Sequence, residues 1–424
     1  MKKLNVNILP TEEENMGHLK KISCLLIAAL MIFSVNYAIA AEIVIGFSGP
    51  LSGPAAEYGQ DCLNGIEMAI REINASGGVL ADGKKFTFRL EKMDDKASPE
   101  LAAANARQLL DKEALAIFDP VFSSAAALLK INEEECGEFI VMGYTSSAQA
   151  DHTKNDLLII NVPVLTGYAK IYTNYAWEKG WRKAAMVVTQ GVYGDEWRDS
   201  FRAAWEKKGG AITADKPANF YTRTDFVAPL TAAIATKPDT ILIGGPSGTT
   251  ALAIAQARQM GFKGGFLIID QAKLDVIAQM LDGTRLLENS IGTANANSLP
   301  VPAYAAFEKK YKDTYKKINT WETVLHYQAM LALAKAIASA GTQDNVYAVR
   351  AAFPKAFPMI GDKYPAEIFS VSPAGRMLMP IVTQVVQGGK FSQATAYIWW
   401  TKTNVEFENI KKISKIPVPI KQVK

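Results

Sequence analysis

The architecture of this chain hangs on residues 42–54, EIVIGFSGPLSGP, and on the stretch that follows at 58–78, YGQDCLNGIEMAIREINASGG. The first five residues are an apolar run of strand character. Beyond the Gly/Pro loop, Leu63, Ile66, Ala69, Ile70 and Ile73 recur at helical spacing, and Gly77-Gly78 stop the pattern. Strand, glycine loop, helix is also the layout of a dinucleotide site, but the details differ. The glycines stand at 46, 49 and 53 rather than in G-x-G-x-x-G, and Pro50 and Pro54 remove two N–H donors that a phosphate would need. What the loop offers is a rigid turn followed by Glu57, Tyr58, Gly59 and Gln60, a rim at the carboxyl end of the first strand. Open parallel sheets bind ligands at that edge.

The same unit repeats outward from there. Residues 85–95 alternate like a strand, and Ser98-Pro99-Glu100 opens a helix, since proline suits the first helical turn. LAIFDPVF (115–122) leads through Ser123-Ser124 into a helix expected to run to Cys136. FIVMGYTSS (139–147) is a further strand with a polar end. A second series starts near 164: strands are expected at 184–191, 239–245 and 265–270, each followed by a helical pattern. Two such series predict an α/β protein of two doubly wound parallel-sheet lobes, covered on both faces. Further helices are expected near 301–316 and 322–340, then strands MLMPIVTQVV and a run ending in YIWW about a Gly388-Gly389 turn.

The 424-residue length fits two domains, and an apolar share of 49% gives ample core. Residues 1–40 have the pattern of a signal peptide: Lys20 and Lys21, an apolar stretch from Ile22 to Val35, and Ala38-Ile39-Ala40 before a cleavage point at Ala41. Met16 is an alternative start. Without that segment the net charge falls from +4 to +3, since four lysines and three glutamates leave with it. A nearly neutral chain is not built to neutralise a nucleic-acid backbone. The two remaining cysteines, Cys62 and Cys136, follow the first and third strands, on helices expected on opposite faces, so no disulfide is expected. Two remaining histidines without companion ligands predict no metal site, and neither G-x-x-x-x-G-K-[ST] nor G-x-S-x-G occurs, so neither a cofactor nor an enzyme is expected.

With these strands in place, SGPAAEYGQDCLNGIEMAIREINASGG followed by a strand ending in Asp94-Asp95 resembles the leucine/isoleucine/valine-binding family. These are solute-binding proteins of ABC importers with the type I periplasmic binding protein fold. DTILIGG with AIAQARQMGFKGGFLIID, and SPAGRMLMPIVTQVVQGGKF, are similar to the same family, so the resemblance covers nearly all of 42–400. It implies three hinge crossings, placed near 163, 292 and 370. Lobe 1 would then comprise 41–163 with 292–370, and lobe 2 would comprise 164–291 with 371–405. Residues 406–424 would be a solvated C-terminal extension.

The resemblance also implies a ligand carboxylate held by hydroxyls and amides of lobe 1. Ser123 or Ser124 would serve at a helix start; read alone, they are two capping serines. Thr145-Ser146-Ser147 is the second hydroxyl cluster, with Thr145 and Ser147 favoured; alone, it is a strand-end turn. Tyr193 matches a tyrosine that closes over the ligand, or else packs at a loop. Asp270 matches the acidic partner of an α-ammonium, or else caps the next helix. The family's disulfide positions fall on Ala97 and Phe122, so that bridge is absent, and Phe122 and Tyr144 put bulk beside the hydroxyls. The expected function is capture of a small carboxylate-bearing solute, a branched-chain amino acid or an aromatic acid, outside the cytoplasm for delivery to a membrane-bound ABC permease. A small-amide binder and a sensor feeding a membrane receptor are the alternatives.

Overall fold

The computed structural model describes residues 41–423, so the expected signal peptide and its start lie outside the described residues. The first sheet is built from β1 (Ala41–Gly49), β2 (Val79–Ala81), β3 (Lys84–Asp94), β4 (Ala114–Asp119), β5 (Ile140–Gly143) and β6 (Leu158–Ile160). Their order is β2-β3-β1-β4-β5-β6; β2 runs antiparallel to β3, and the pairs β1–β4, β4–β5 and β5–β6 are parallel. The second sheet begins with β7 (Lys183–Val188), β8 (Ala211–Asp215), β9 (Thr240–Gly244), β10 (Gly265–Ile268) and β11 (Ile291–Thr293), in the order β8-β7-β9-β10-β11. Both orders reverse at the first strand of the series, the topological switch point where doubly wound sheets open a crevice. The type I periplasmic binding protein fold expected from the sequence is present.

The opening loop is a structural corner. Leu51 N and Ser52 Oγ donate to the two oxygens of Asp94, and Asp95 N donates to Gly49 O, so loop and DD pair lock together. Helix α1 (Ala56–Ala75) then passes so close that a Cβ on Gly59 would meet Pro50 O at 2.0 Å. The amide that a phosphate would want at Leu51 is consumed by the aspartate.

Three segments depart from the sequence expectation. The helix after β4 is α3 (Phe122–Leu128), following α2 (Pro99–Leu110), and it gives way to turns well before Cys136. MLMPIVTQVV is not one strand. After β12 (Ser370–Val371), β13 (Met377–Leu378) closes a hairpin whose Arg376 bridges to Ile160 at the edge of the first sheet. Only past Met379-Pro380 does β14 (Ile381–Gln387) join the second sheet, antiparallel to β11. The last passage between the sheets is therefore at 379–380 rather than near 370. Finally, within 406–423 the helix Asn404–Ile413 buries no residue, as a solvated extension would, but the chain beyond it returns to the second sheet. β14 pairs with β15 (Lys390–Phe391) and β16 (Thr395–Ile398), and β17 (Ile420–Gln422) adds to β16 in parallel. Cys62 is buried and Cys136 exposed, and they are not bonded to each other.

Candidate functional site

The site grows from strand ends. The carboxyl ends of β5 and β10 carry Thr145-Ser146 and Asp270, and Tyr193 stands in the first turn of α5 (Val192–Lys207), just after β7. Helix α4 (Leu165–Glu178) carries the chain from the first passage into the second sheet. Thr145, Ser146, Tyr193 and Asp270 line one cavity between the two sheets, together with Tyr58, Phe122, Tyr144, Tyr221 and Gln271. Four of the seven site residues expected from the sequence thus come together.

Asp270 is anchored from behind. Its Oδ1 accepts Tyr193 Oη at 2.6 Å and Trp197 Nε1 at 2.8 Å. The helix that follows, α8 (Leu274–Met280; α6 is Val227–Ile234 and α7 Ser247–Gln259), has Lys273 as its N-cap residue and takes no side-chain cap. Asp270 is therefore not a helix cap. With one oxygen held by two donors, the other is left for whatever enters. On the facing side, Ser146 Oγ is buried without a hydrogen-bond partner, and Thr145 Oγ1 accepts Ser147 N at 3.2 Å, which orients its own proton outward from that bond. A buried hydroxyl without a partner is costly unless a ligand or water satisfies it. Burial pushes the phenols of Tyr58, Tyr144 and Tyr193 well above the usual range, so they remain neutral donors.

The other three expected residues do not line the cavity. Ser147 caps the short 3-10 turn Ala148–His152, accepting Gln149 N at 3.2 Å, and its hydroxyl donates to Glu196. Ser123 is half-buried in the first turn of α3. Ser124 is fully buried and turned toward the Asp95 carboxyl without closing a hydrogen bond. Below it, burial pushes Asp95 up to about 6, and burial together with the Asp95 charge raises Asp119 as well. Asp119 Oδ1 accepts Val121 N at 2.9 Å, so the polar groups around this helix start serve the loop rather than the cavity.

Several residues escaped the sequence reading. Arg376 is 1% exposed and reaches from the hairpin into the loop under the cavity. It donates to Thr145 O, Ser147 O and Val162 O at 2.6–2.9 Å and pairs with both oxygens of Asp151. Glu196, on α5 of the second lobe, accepts Ala148 N at 2.7 Å besides the Ser147 hydroxyl of the first. Lys273 Nζ lies 2.6 Å from Glu322 Oε1 without hydrogen-bond alignment and donates to Asp270 O and Gln271 O. Two signals were available: a lone arginine inside apolar RMLMP, and Trp197 four residues after Tyr193 on one helical face.

Comparison with known proteins places the chain. The family model described as periplasmic binding protein matches residues 42–390. The chain belongs to the periplasmic binding protein family. That membership implies a location outside the cytoplasm, and the relatives are binding proteins rather than enzymes. An amino acid binding protein of Pseudomonas aeruginosa is 25% identical over 77% of this family member and 85% of its own length. The Leu/Ile/Val-binding protein BraC3 of Rhizobium johnstonii is 28% identical over 54% of this chain and 60% of its own. The solved structure of the branched-chain amino acid transporter substrate binding protein LivJ from Streptococcus pneumoniae, in complex with isoleucine, superposes with a TM-score of 0.68. It shares 22% identity, covering 84% of this chain and 99% of that one, a likeness of fold. Among the described residues no helix is long and apolar enough to cross a membrane, and no cluster of three or more potential metal ligands occurs.

Proposed function

We propose that this family member captures a small α-amino acid between its lobes and hands it to a membrane-bound ABC permease, after export by the segment 1–40. The observation that carries this reading is the polarity of the cavity. Thr145 and Ser146 present hydroxyls from one lobe, and Asp270 presents a carboxylate from the other. A zwitterion satisfies both: its carboxylate takes the hydroxyl donors and its ammonium meets Asp270 in a charge-assisted bond. Binding free energy then favours the closed arrangement, and no bond is made or broken.

The test is a thermal-shift and calorimetry panel on protein unfolded and refolded to strip carried-over ligand. Amino acids should bind and their deaminated acids should not. At 100 times Kd a ligand stabilises by ~2.7 kcal/mol. Asp270→Asn should weaken amino acids by ten-fold or more and leave the deaminated acids no worse. Equal binding of both series would remove the ammonium role from Asp270. Binding of neither would sink the amino-acid reading.

A further inference from the structure

The cavity wall contributed by the second lobe carries a polar station besides Asp270. Gln271 and Tyr221 both line the cavity, and Gln271 Nε2 donates to Tyr221 Oη at 2.7 Å. The other end of that amide is unpaired: Gln271 is 6% exposed, yet its Oε1 has no hydrogen-bond partner among the described residues. Tyr221 accepts that bond, so its own phenolic proton is left for another acceptor. Burial holds the phenol well above the usual range, and the proton stays on it. The pair therefore presents one acceptor and one donor. Turning the amide over does not change that count. The phenol would then donate to Oε1, leaving an amide N–H and a lone pair on Tyr221 Oη.

This station is separate from the one at Asp270. The chain turns just past β10, and the two neighbouring side chains go to different partners. Asp270 is held by Tyr193 and Trp197 of α5, and Trp197 packs on Tyr168 and Tyr172 of α4, on the face of the second sheet that Leu242 and Leu267 share. Gln271 bonds Tyr221, whose chain neighbour Phe220 stacks on Phe226 in the cluster of Ile243 and Ile268, the opposite face. An α-amino acid held by its carboxylate at Thr145 and Ser146 and by its ammonium at Asp270 has used both of its charged groups. A third polar group is needed for Gln271 and Tyr221, one that donates and accepts at once. A hydroxyl or a carboxamide does so. A hydrocarbon chain leaves both protein atoms unpaired beside it, which is costly.

We infer that the Gln271–Tyr221 pair reads the side chain of the ligand: the solute is an amino acid bearing a hydroxyl or a carboxamide rather than a branched hydrocarbon. This rests on the proposed function, since it takes the ammonium to lie against Asp270. Specificity then comes from two protein atoms that only a polar side chain satisfies.

The test is calorimetry on stripped protein with two pairs of nearly equal shape, asparagine against leucine and threonine against valine. In at least one pair the polar member should bind about ten-fold or more tighter, because a site built to hydrogen-bond rejects the analogue that lacks the group. Gln271→Met and Tyr221→Phe each remove one member of the protein pair with little change of volume. Each should lower the polar-to-apolar affinity ratio by about ten-fold. The ratio is read within each variant, so a general loss of stability cancels, and if one variant misfolds the other still reports. Preference for leucine and valine in the parent protein would overturn the inference, as would ratios unmoved by both variants, or binding of none of the four while other amino acids bind. Each of those results leaves amino-acid capture intact. Loss of affinity by one common factor for every ligand would assign the pair to the head group and also overturn it. Should no amino acid bind at all, the proposed function itself fails and takes this inference with it.

Discussion

Asp95 shows how a single buried carboxyl tunes the molecule. Its side chain accepts Ala97 N at 2.8 Å and Ser48 Oγ at 3.2 Å, and burial still holds its pKa up near 6 against an ordinary 3.8. A carboxyl raised on folding contributes stability that is present below the unfolded pKa and is lost as pH rises through the folded one. From pH 4 to 7.5 the chain should therefore lose up to about 3 kcal/mol through this residue. Asp95→Asn should flatten that dependence by the same amount in urea unfolding of ligand-free protein at the two pH values; superimposable profiles for parent and variant would refute the assignment. The residue scale is also where the sequence was least legible. Thr145, Ser146, Tyr193 and Asp270, which share the cavity, were singled out through the family resemblance, each just past a strand of the series, with Ser147 favoured over Ser146. Ser147 and Ser124 looked the same on paper, and only the third dimension turns one toward Glu196 and the other toward Asp95. A hydroxyl's direction depends on one torsion, which no spacing rule contains.

Among the elements, the hairpin of β12 and β13 has the widest influence for its size. Through Arg376 it holds three carbonyls of the 145–162 segment and the Asp151 carboxylate, so the loop carrying the hydroxyls is braced from below. Arg376→Met would leave those carbonyls and Asp151 without their partner. We expect a loss of about 3–5 kcal/mol in urea unfolding, with faster amide exchange confined first to residues 145–151. Arg376→Lys should recover only part of it, because an ammonium cannot reproduce the planar fork. Unchanged exchange in that segment would argue against the brace. The hairpin was not legible because its strands are two residues long each and β13 is separated from β14 by Met379-Pro380 alone. Periodicity merges them into one run. By contrast β4, β9 and β10 are continuously buried, mostly apolar runs, β1 and β7 are buried past their first residues, and those were readable to within a few residues.

Over the whole molecule, the two lobes also meet at a contact outside the cavity of Thr145, Ser146 and Asp270. Glu196 receives Ser147 Oγ and Ala148 N across the cleft, bonds available only when the lobes are together. Glu196→Ala should therefore open the ligand-free protein, seen as a larger radius of gyration in X-ray scattering. It should weaken ligand about five-fold or more, the size of a coupling of 1 kcal/mol or somewhat above, with little change in urea stability. Equal scattering curves and equal affinity would show that the contact carries no closing free energy. The two-lobed plan was legible at this scale because strand and helix alternate twice, and a parallel sheet leaves few other ways to cover both faces. The fate of the tail was not. Ile420–Gln422 is too short to announce itself as a strand, and its identity comes from the neighbour it joins. That joining bears on how the protein stays apart from its own copies. Without residues 406–423 the outer edge of β16 would offer unpaired N–H and C=O groups to any passing strand. With them, the sheet ends in three residues preceded by Pro417 and Pro419 and carrying exposed Lys421, a border too short, too kinked and too charged to be extended. Ending the chain after residue 405 should accordingly yield oligomers on size-exclusion chromatography, and the segment that looked like a spare end is better regarded as a guard against self-association.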